Sequence, residues 1–235
     1  MIRNATWAVV PVKTLDAAKR RLAGALDPAA RRGLSLAMLA DVLDALDATP
    51  GLGGIAVVSR DADVAALARR RGLRVILETG AGLNAAVAQA ANVLSANVLS
   101  ASAEGCARLL VMPADLPLAA PEEIAAVLAA LPEAPGLTLV PDRHGVGTNA
   151  LACTPPDAVA PSFGAGSFAR HLEAARNAGI PATVLRLPGL GLDIDTPEDL
   201  RALMETPGAT WTPTWTHAAL RAARSPAPLA VGGAR

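Results

Sequence analysis

Lysine occurs at only two positions, Lys13 and Lys19, and both fall in one short segment, VPVKTLDAAKRRLA, over residues 10–23. An ammonium is a compact, mobile point charge where a guanidinium is a flat fork, and phosphate is a common partner for it. The pair points to a phosphate-binding loop directly after an apolar run, against the plainer reading of two solvated lysines at a helix start. In PADLP, Asp115 follows the run ARLLVMP, with Pro113 and Pro117 on either side. A carboxylate at the end of a strand is well placed to hold a hard divalent cation through oxygen; alternatively Asp115 caps a helix beginning near Pro121. In LGLDIDTPEDL, Asp193 and Asp195 stand two apart, so in an extended segment both carboxylates project from one face and repel unless a cation or donors lie between them. An ordinary helix start, with Asp195 ahead of Pro197, accounts for Asp195 and leaves Asp193 unexplained.

Two further segments suit a small anion. PDRHGVGTNAL (141–151) carries Arg143, His144, Thr148 and Asn149 on a glycine-bearing turn between two apolar runs. In PSFGAGSFARH (161–171), Gly164 and Gly166 precede Ser167, which is expected to cap the next helix and leave its free amides facing an anion. His171, one turn into that helix, reads as a structural or rim histidine rather than an acid or base. A weaker signal is ETGAGLNAAV (78–87), where Gly80, Gly82 and Asn84 open a helix; glycines let a ligand approach the backbone, and an asparagine amide can bond a base or a phosphate.

The elements that must position these groups are read from periodicity. Apolar bursts bounded by turn residues recur at 6–12, 54–59, 73–78, 107–113, 137–141, 149–154 and 183–188. Helical patterns fall at 28–48, 62–71, 83 to about 100, 121–131, 167–178 and 197–204. Strands apolar on both faces, alternating with helices, predict an α/β fold with a mainly parallel twisted sheet and helices on both faces. Ligands in such sheets gather beyond the carboxyl ends of the strands. The tandem pentapeptide ANVLSANVLS at 91–100 turns a helix face by about 140° and spoils an apolar stripe, so a helix extension or loop is expected there. Residues 1–204 read as one α/β domain, with two small ones as the alternative. Residues 205–235 read as a proline-rich, loosely ordered tail, with Trp211 and Trp215 ahead of a short helix candidate.

With 235 residues, 52% of them apolar, the chain can bury one sizeable core. A net charge of zero carries no nucleic-acid footprint. No segment suits a membrane span or a signal peptide, and Cys106 and Cys153 lack metal-type spacing and read as buried thiols. The expectation is a cytoplasmic protein.

Taken in order, VPVKTLDAAKRRLA, ETGAGLNAAV, PADLPL, PDRHGVGTNAL, FGAGSFARH and LDIDTPEDL resemble the motifs of the 2-phospho-L-lactate guanylyltransferase family, over nearly all of residues 5–204. The resemblance implies a nucleotidyltransferase fold similar to that of GT-A glycosyltransferases. It implies transfer of GMP from GTP to a three-carbon phospho-acid (2-phospho-L-lactate, phosphoenolpyruvate or 3-phospho-D-glycerate), with release of pyrophosphate, in biosynthesis of the deazaflavin coenzyme factor 420. Lys13 and Lys19 would hold the GTP phosphates, and Gly82 and Asn84 would lie by the nucleotide. Asp115 with Asp193 or Asp195 would bind Mg²⁺, with Lys13, Asp115 and Asp195 as the catalytic groups. Thr148, Gly164 and Ser167 would bind the acceptor, with Arg143 and Asn149 beside them. GTP and the acid are the partners so implied. A homodimer and a hand-off to a downstream transferase stay open, as does another reaction on the same fold (molybdenum-cofactor guanylyl or cytidylyl transfer, or sugar-nucleotide synthesis) or a non-catalytic nucleotide-binding module.

Overall fold

The computed structural model describes residues 5–80, 82–96, 106–205 and 214–224. Seven strands form one sheet: β1 (Ala5–Pro11), β2 (Leu52–Val58), β3 (Arg74–Ile76), β4 (Cys106–Val111), β5 (Gly136–Pro141), β6 (Thr148–Thr154) and β7 (Ala182–Val184), in the order β3-β2-β1-β4-β6-β5-β7. Strand β1 pairs parallel with β2 and β4, β2 with β3, and β5 with β7. Strand β6 runs antiparallel between β4 and β5, a reversal that alternation of hydropathy cannot register, because a strand buried on both faces reads the same in either direction.

The helices are α1 (Pro28–Asp47), α2 (Ala62–Arg70), α3 (Leu83–Ala96), α4 (Pro121–Ala129), α5 (Ser167–Asn177), α6 (Pro197–Glu205) and α7 (Thr214–Arg224). Helix α1 starts where local chemistry dictates: the Asp27 carboxylate accepts from the Ala30 N–H and Pro28 follows at the first helical position. Successive residues of β1 serve opposite layers. Ala8 and Val10 pack with Leu39, Val42 and Leu43 of α1 and Val64 of α2, while Trp7 and Val9 pack with Val87, Ala90 and Leu94 of α3. The sheet is thus covered on both faces.

A third cluster joins Leu34 and Met38 of α1 to Leu192, Ile194, Leu200 and Leu220, and for residues 214–224 it replaces the expectation of loose order with a docked helix. Helix α7 docks on α1, where the buried Asp41 carboxylate accepts from the Trp215 and Thr216 N–H groups at 3.0 and 2.8 Å, and Asp44 accepts from the Trp215 indole at 2.8 Å. An acidic residue on a neighbouring helix caps α7, so its own sequence shows no cap. Trp215 remains half exposed, and Trp211 lies outside the described residues. The first half of the pentapeptide repeat continues α3; residues 97–100 lie outside the description. Both cysteines are buried free thiols, with burial pushing Cys106 up to about 11 and Cys153 to about 12. Among the described residues no helix is long and apolar enough to cross a membrane.

Candidate active site

The chain runs from β1 outward through β2 to β3, then returns to the other side of β1 with β4. Loops leaving β1 and β4 at their carboxyl ends therefore diverge, which opens a crevice at this switch point. The loop after β1 carries Lys13 and Lys19, the loop after β4 carries Asp115, and all three line one cleft of about 400 Å³ together with Ser35, Leu83 and Asp195.

Lys19 is the centre of the cleft's charge. Its Nζ lies 2.5 Å from Asp115 Oδ2 and 2.8 Å from Asp195 Oδ1, with only 8% of the side chain exposed. Burial works against the ammonium, but the two carboxylates outweigh it and raise its pKa above the usual lysine value. Its backbone sits in the left-handed region at φ +52°, a cost of about 1 kcal/mol or more for a residue with a Cβ, and a mark of backbone constrained at a site. The loop is pinned at its other end: the Asp61 carboxylate that caps α2 also accepts from the Leu15 N–H at 2.9 Å and pairs with Arg32. Lys13 is exposed at the mouth of the cleft.

Asp115 and Asp195 do not cap the helices that follow them. Helix α4 starts at Pro121 with Ala120 at the cap position and no side-chain cap. At α6, Thr196 and Asp199 form a reciprocal capping box: Asp199 Oδ2 accepts from the Thr196 N–H and the Asp199 N–H donates to Thr196 Oγ1. Asp199 also accepts from the Asp195 N–H at 3.0 Å, which fixes the turn and leaves the Asp195 side chain for Lys19. Along 192–195 burial alternates, with Leu192 and Ile194 in the core and both aspartates partly exposed, as an extended segment requires. No ladder strand forms there; instead the Ile194 N–H donates to Asp115 O, and Glu123 of α4 accepts from the Gly189 and Leu190 N–H groups. Gly189 must be glycine, since a Cβ there would lie 2.2 Å from Leu118 O.

The three aspartates come to one region without closing into one cage. Among the described residues, no three acidic, thiol or imidazole groups gather closely enough to hold a metal between them. The physical reason is competition: Lys19 draws Asp115 and Asp195, while Asn149 Nδ2 donates to Asp193 Oδ1 at 3.3 Å. Burial first, then Asp115 and Asp195, push the Asp193 pKa up. Asp115 Oδ1 is buried without a hydrogen-bond partner. A crowded, partly orphaned carboxylate set of this kind fits a hard divalent cation, and Mg²⁺ takes one or two protein carboxylates with the remainder from substrate phosphates and water.

A second pole lies at the 141–171 segments. Thr148 Oγ1 is 3.0 Å from His171 Nδ1 and 3.2 Å from Ser167 Oγ, and all three residues are buried. Ser167 does not cap α5 as expected. Gly166, at φ +71°, holds the cap position, and Ser167 falls inside the first turn with its hydroxyl committed to Thr148. Gly164, at φ +116°, shapes the same turn, and the Ser167 N–H returns to Gly164 O. Arg143 and Asn149 are turned elsewhere: Arg143 Nη2 donates to Asp199 Oδ1 at 2.5 Å, and Asn149 serves Leu190 O and Asp193. Gly82 has φ +93° ahead of α3, and the Asn84 amide is engaged at both ends, accepting from Phe163 N and donating to Phe163 O. Asn84 thus ties the start of α3 to the glycine turn. Asp61 and Glu123 escape sequence reasoning because each acts on the backbone of a distant loop, and Asp199 because its distant partner is the Arg143 side chain; its place in the TPED capping box alone is a local signal.

The comparisons with known proteins agree with this architecture. Phosphoenolpyruvate guanylyltransferase of Sphaerobacter thermophilus is 48% identical over 198 residues, covering 84% of this chain and 92% of that protein. The protein of the same name from Rubrobacter xylanophilus is 42% identical over 207 residues, covering 88% and 97%. Among solved structures, a nucleotidyl transferase from Methanothermobacter thermautotrophicus superposes with a TM-score of 0.60 at 16% identity, covering 93% of this chain and 99% of that one. A cytidylyltransferase from Leptospira borgpetersenii gives 0.57 at 9%, covering 92% and 94%; at such identities the likeness concerns the fold. The family model for CofC-like guanylyl transferases matches residues 6–215. With that match across the sheet, both lysines and all three aspartates, the chain is a nucleotidyltransferase and belongs to the CofC-like guanylyl transferase family.

Proposed function

We propose that the protein transfers GMP from GTP to the phosphate of phosphoenolpyruvate, releasing pyrophosphate, as a step in biosynthesis of a deazaflavin coenzyme. The observation that carries the reading is the Lys19–Asp115–Asp195 cluster at the β1/β4 switch point. The name shared by the relatives supports phosphoenolpyruvate over the other three-carbon acids, which differ from it by a single hydroxyl, methyl or methylene contact.

Lys13 and Lys19 would hold the triphosphate, and Asp115 with Asp195 or Asp193 would hold Mg²⁺, which when bound supplies charge neutralisation at the α-phosphate and the leaving pyrophosphate. The acceptor phosphate is already anionic near neutral pH, so the protein's task is to align an in-line attack and offset accumulating negative charge. No general base is needed, in keeping with a cleft built of ammonium and carboxylate groups. Gly82 and Asn84 would border the nucleotide, and Thr148, Gly164 and Ser167 the acid, with Arg143 and Asn149 bracing the carboxylate loop rather than touching the acid.

The test is pyrophosphate release. The protein is incubated with Mg²⁺, each nucleoside triphosphate, and phosphoenolpyruvate, 2-phospho-L-lactate or 3-phospho-D-glycerate, and products are identified by mass. Release with GTP and phosphoenolpyruvate, giving the guanylylated acid, is expected. Release with none of the acids overturns the reading.

A further inference from the structure

We infer that His171 is a positioning residue for the acceptor acid: held in its Nδ1–H tautomer by the Ser162 backbone, it leaves the Thr148–Ser167 hydroxyl pair with one hydrogen to donate to an anion. The inference rests on the reading of Thr148 and Ser167 as acceptor-binding groups and names what makes them donors.

The Ser162 N–H lies 3.0 Å from His171 Nε2, and a backbone amide nitrogen can only donate, so Nε2 carries the lone pair and Nδ1 the proton. The ring is fully buried and neutral, with burial first and Arg170 second lowering its pKa to about 4. Nδ1–H therefore donates to Thr148 Oγ1 at 3.0 Å. Among the described residues, the two hydroxyls have only each other and His171 as side-chain partners. The trio holds three hydrogens, on Nδ1, Thr148 and Ser167, and has two contacts to fill. One hydroxyl hydrogen is left over whichever way the hydroxyls turn.

The opposite tautomer reverses the result. With Nδ1 accepting, Thr148 would donate to it and Ser167 to Thr148, both hydrogens would be spent, and the pair would present lone pairs to an anion. The Ser162 amide thus sets the polarity of the hydroxyl pair through the ring. The surroundings hold the ring in place: Phe163 meets it edge-on at 5.0 Å between centroids, Arg170 donates to Ser162 O at 2.7 Å, and Asn84 grips the Phe163 backbone.

His171→Gln keeps an acceptor for Ser162 and loses the Nδ1 donor, whereas His171→Asn places an amide N–H near the Nδ1 position. Steady-state kinetics are measured for both, beside Thr148→Val and Ser167→Ala, with each of the three acids and GTP. His171→Gln is expected to raise KM for the acid about tenfold or more, the loss of one hydrogen bond to an anion, with KM for GTP unchanged and His171→Asn close to wild type. An unchanged acid KM in His171→Gln, or equal movement of both KM values, overturns the inference. If Thr148→Val and Ser167→Ala leave the acid KM unchanged, the acceptor reading fails and this one with it. If they raise it and His171→Gln does not, this inference alone fails. Should His171→Gln not fold, ¹⁵N spectra of the wild-type imidazole decide: an Nε2–H tautomer at His171 refutes the argument.

Discussion

His171 makes stability depend on pH in a way that can be worked out. Its ordinary pKa of 6.5 falls to about 4 in the folded protein, by burial and then by Arg170. Between these values the unfolded chain binds a proton that the folded chain refuses, so stability is complete above pH 6.5 and is lost as pH falls toward 4. At about 1.36 kcal/mol per pKa unit, the full loss is about 3 kcal/mol, of which about 2 kcal/mol has gone by pH 5. His171→Gln removes the titration while keeping an acceptor for Ser162. The measurement is urea denaturation of wild type and variant at pH 7 and pH 5, with the midpoint and slope fitted at each. Wild type is expected to lose about 2 kcal/mol more than the variant between the two pH values. Parallel losses would refute the claim that a buried neutral imidazole sits between Ser162 and Thr148, since carboxylate titrations common to both proteins cancel in the difference.

Two further outcomes are expected. Asp115→Asn removes the charge shared by Lys19 and the cation and should lower guanylyl transfer by at least about 10²- to 10³-fold; Asp195 still holds the ammonium, so circular dichroism and the melting temperature should stay near wild type, and full activity would exclude Asp115 from the chemistry. Asp41→Ala leaves the Trp215 and Thr216 amides of α7 without their acceptor, at a cost of about 1–2 kcal/mol; hydrogen exchange should show α7 losing protection while α1 keeps it.

Much of this was legible in the sequence because it depends on local pattern. Each of the seven apolar bursts became a strand; the central runs, buried on both faces, leave few alternatives to a sheet interior, while the edge strands β3 and β7 are short and partly exposed. Residue type and strand-end position single out the two lysines and Asp115, which the structure brings to one cleft. What escaped depended on partners far along the chain. Ser167 looked like a cap, but the left-handed Gly166 took that place and Thr148, nineteen residues earlier, took the hydroxyl. The partners of Arg143 and Asn149, Asp199 and Asp193, lie 56 and 44 residues away and leave no local signal. Residues 214–224 read as part of a loose tail because the acidic cap for α7 is contributed by α1, 174 residues upstream.

The central claim is that Lys19, Asp115 and Asp195 form one cleft for a metal-bound nucleoside triphosphate. Crystals soaked with Mn²⁺ and a non-hydrolysable GTP analogue test it by anomalous diffraction. A peak against Asp115 and Asp195 or Asp193 is expected, with Lys19 turned from the carboxylates to the triphosphate. A nucleotide bound elsewhere, with Lys19 still bridging Asp115 and Asp195, would contradict it.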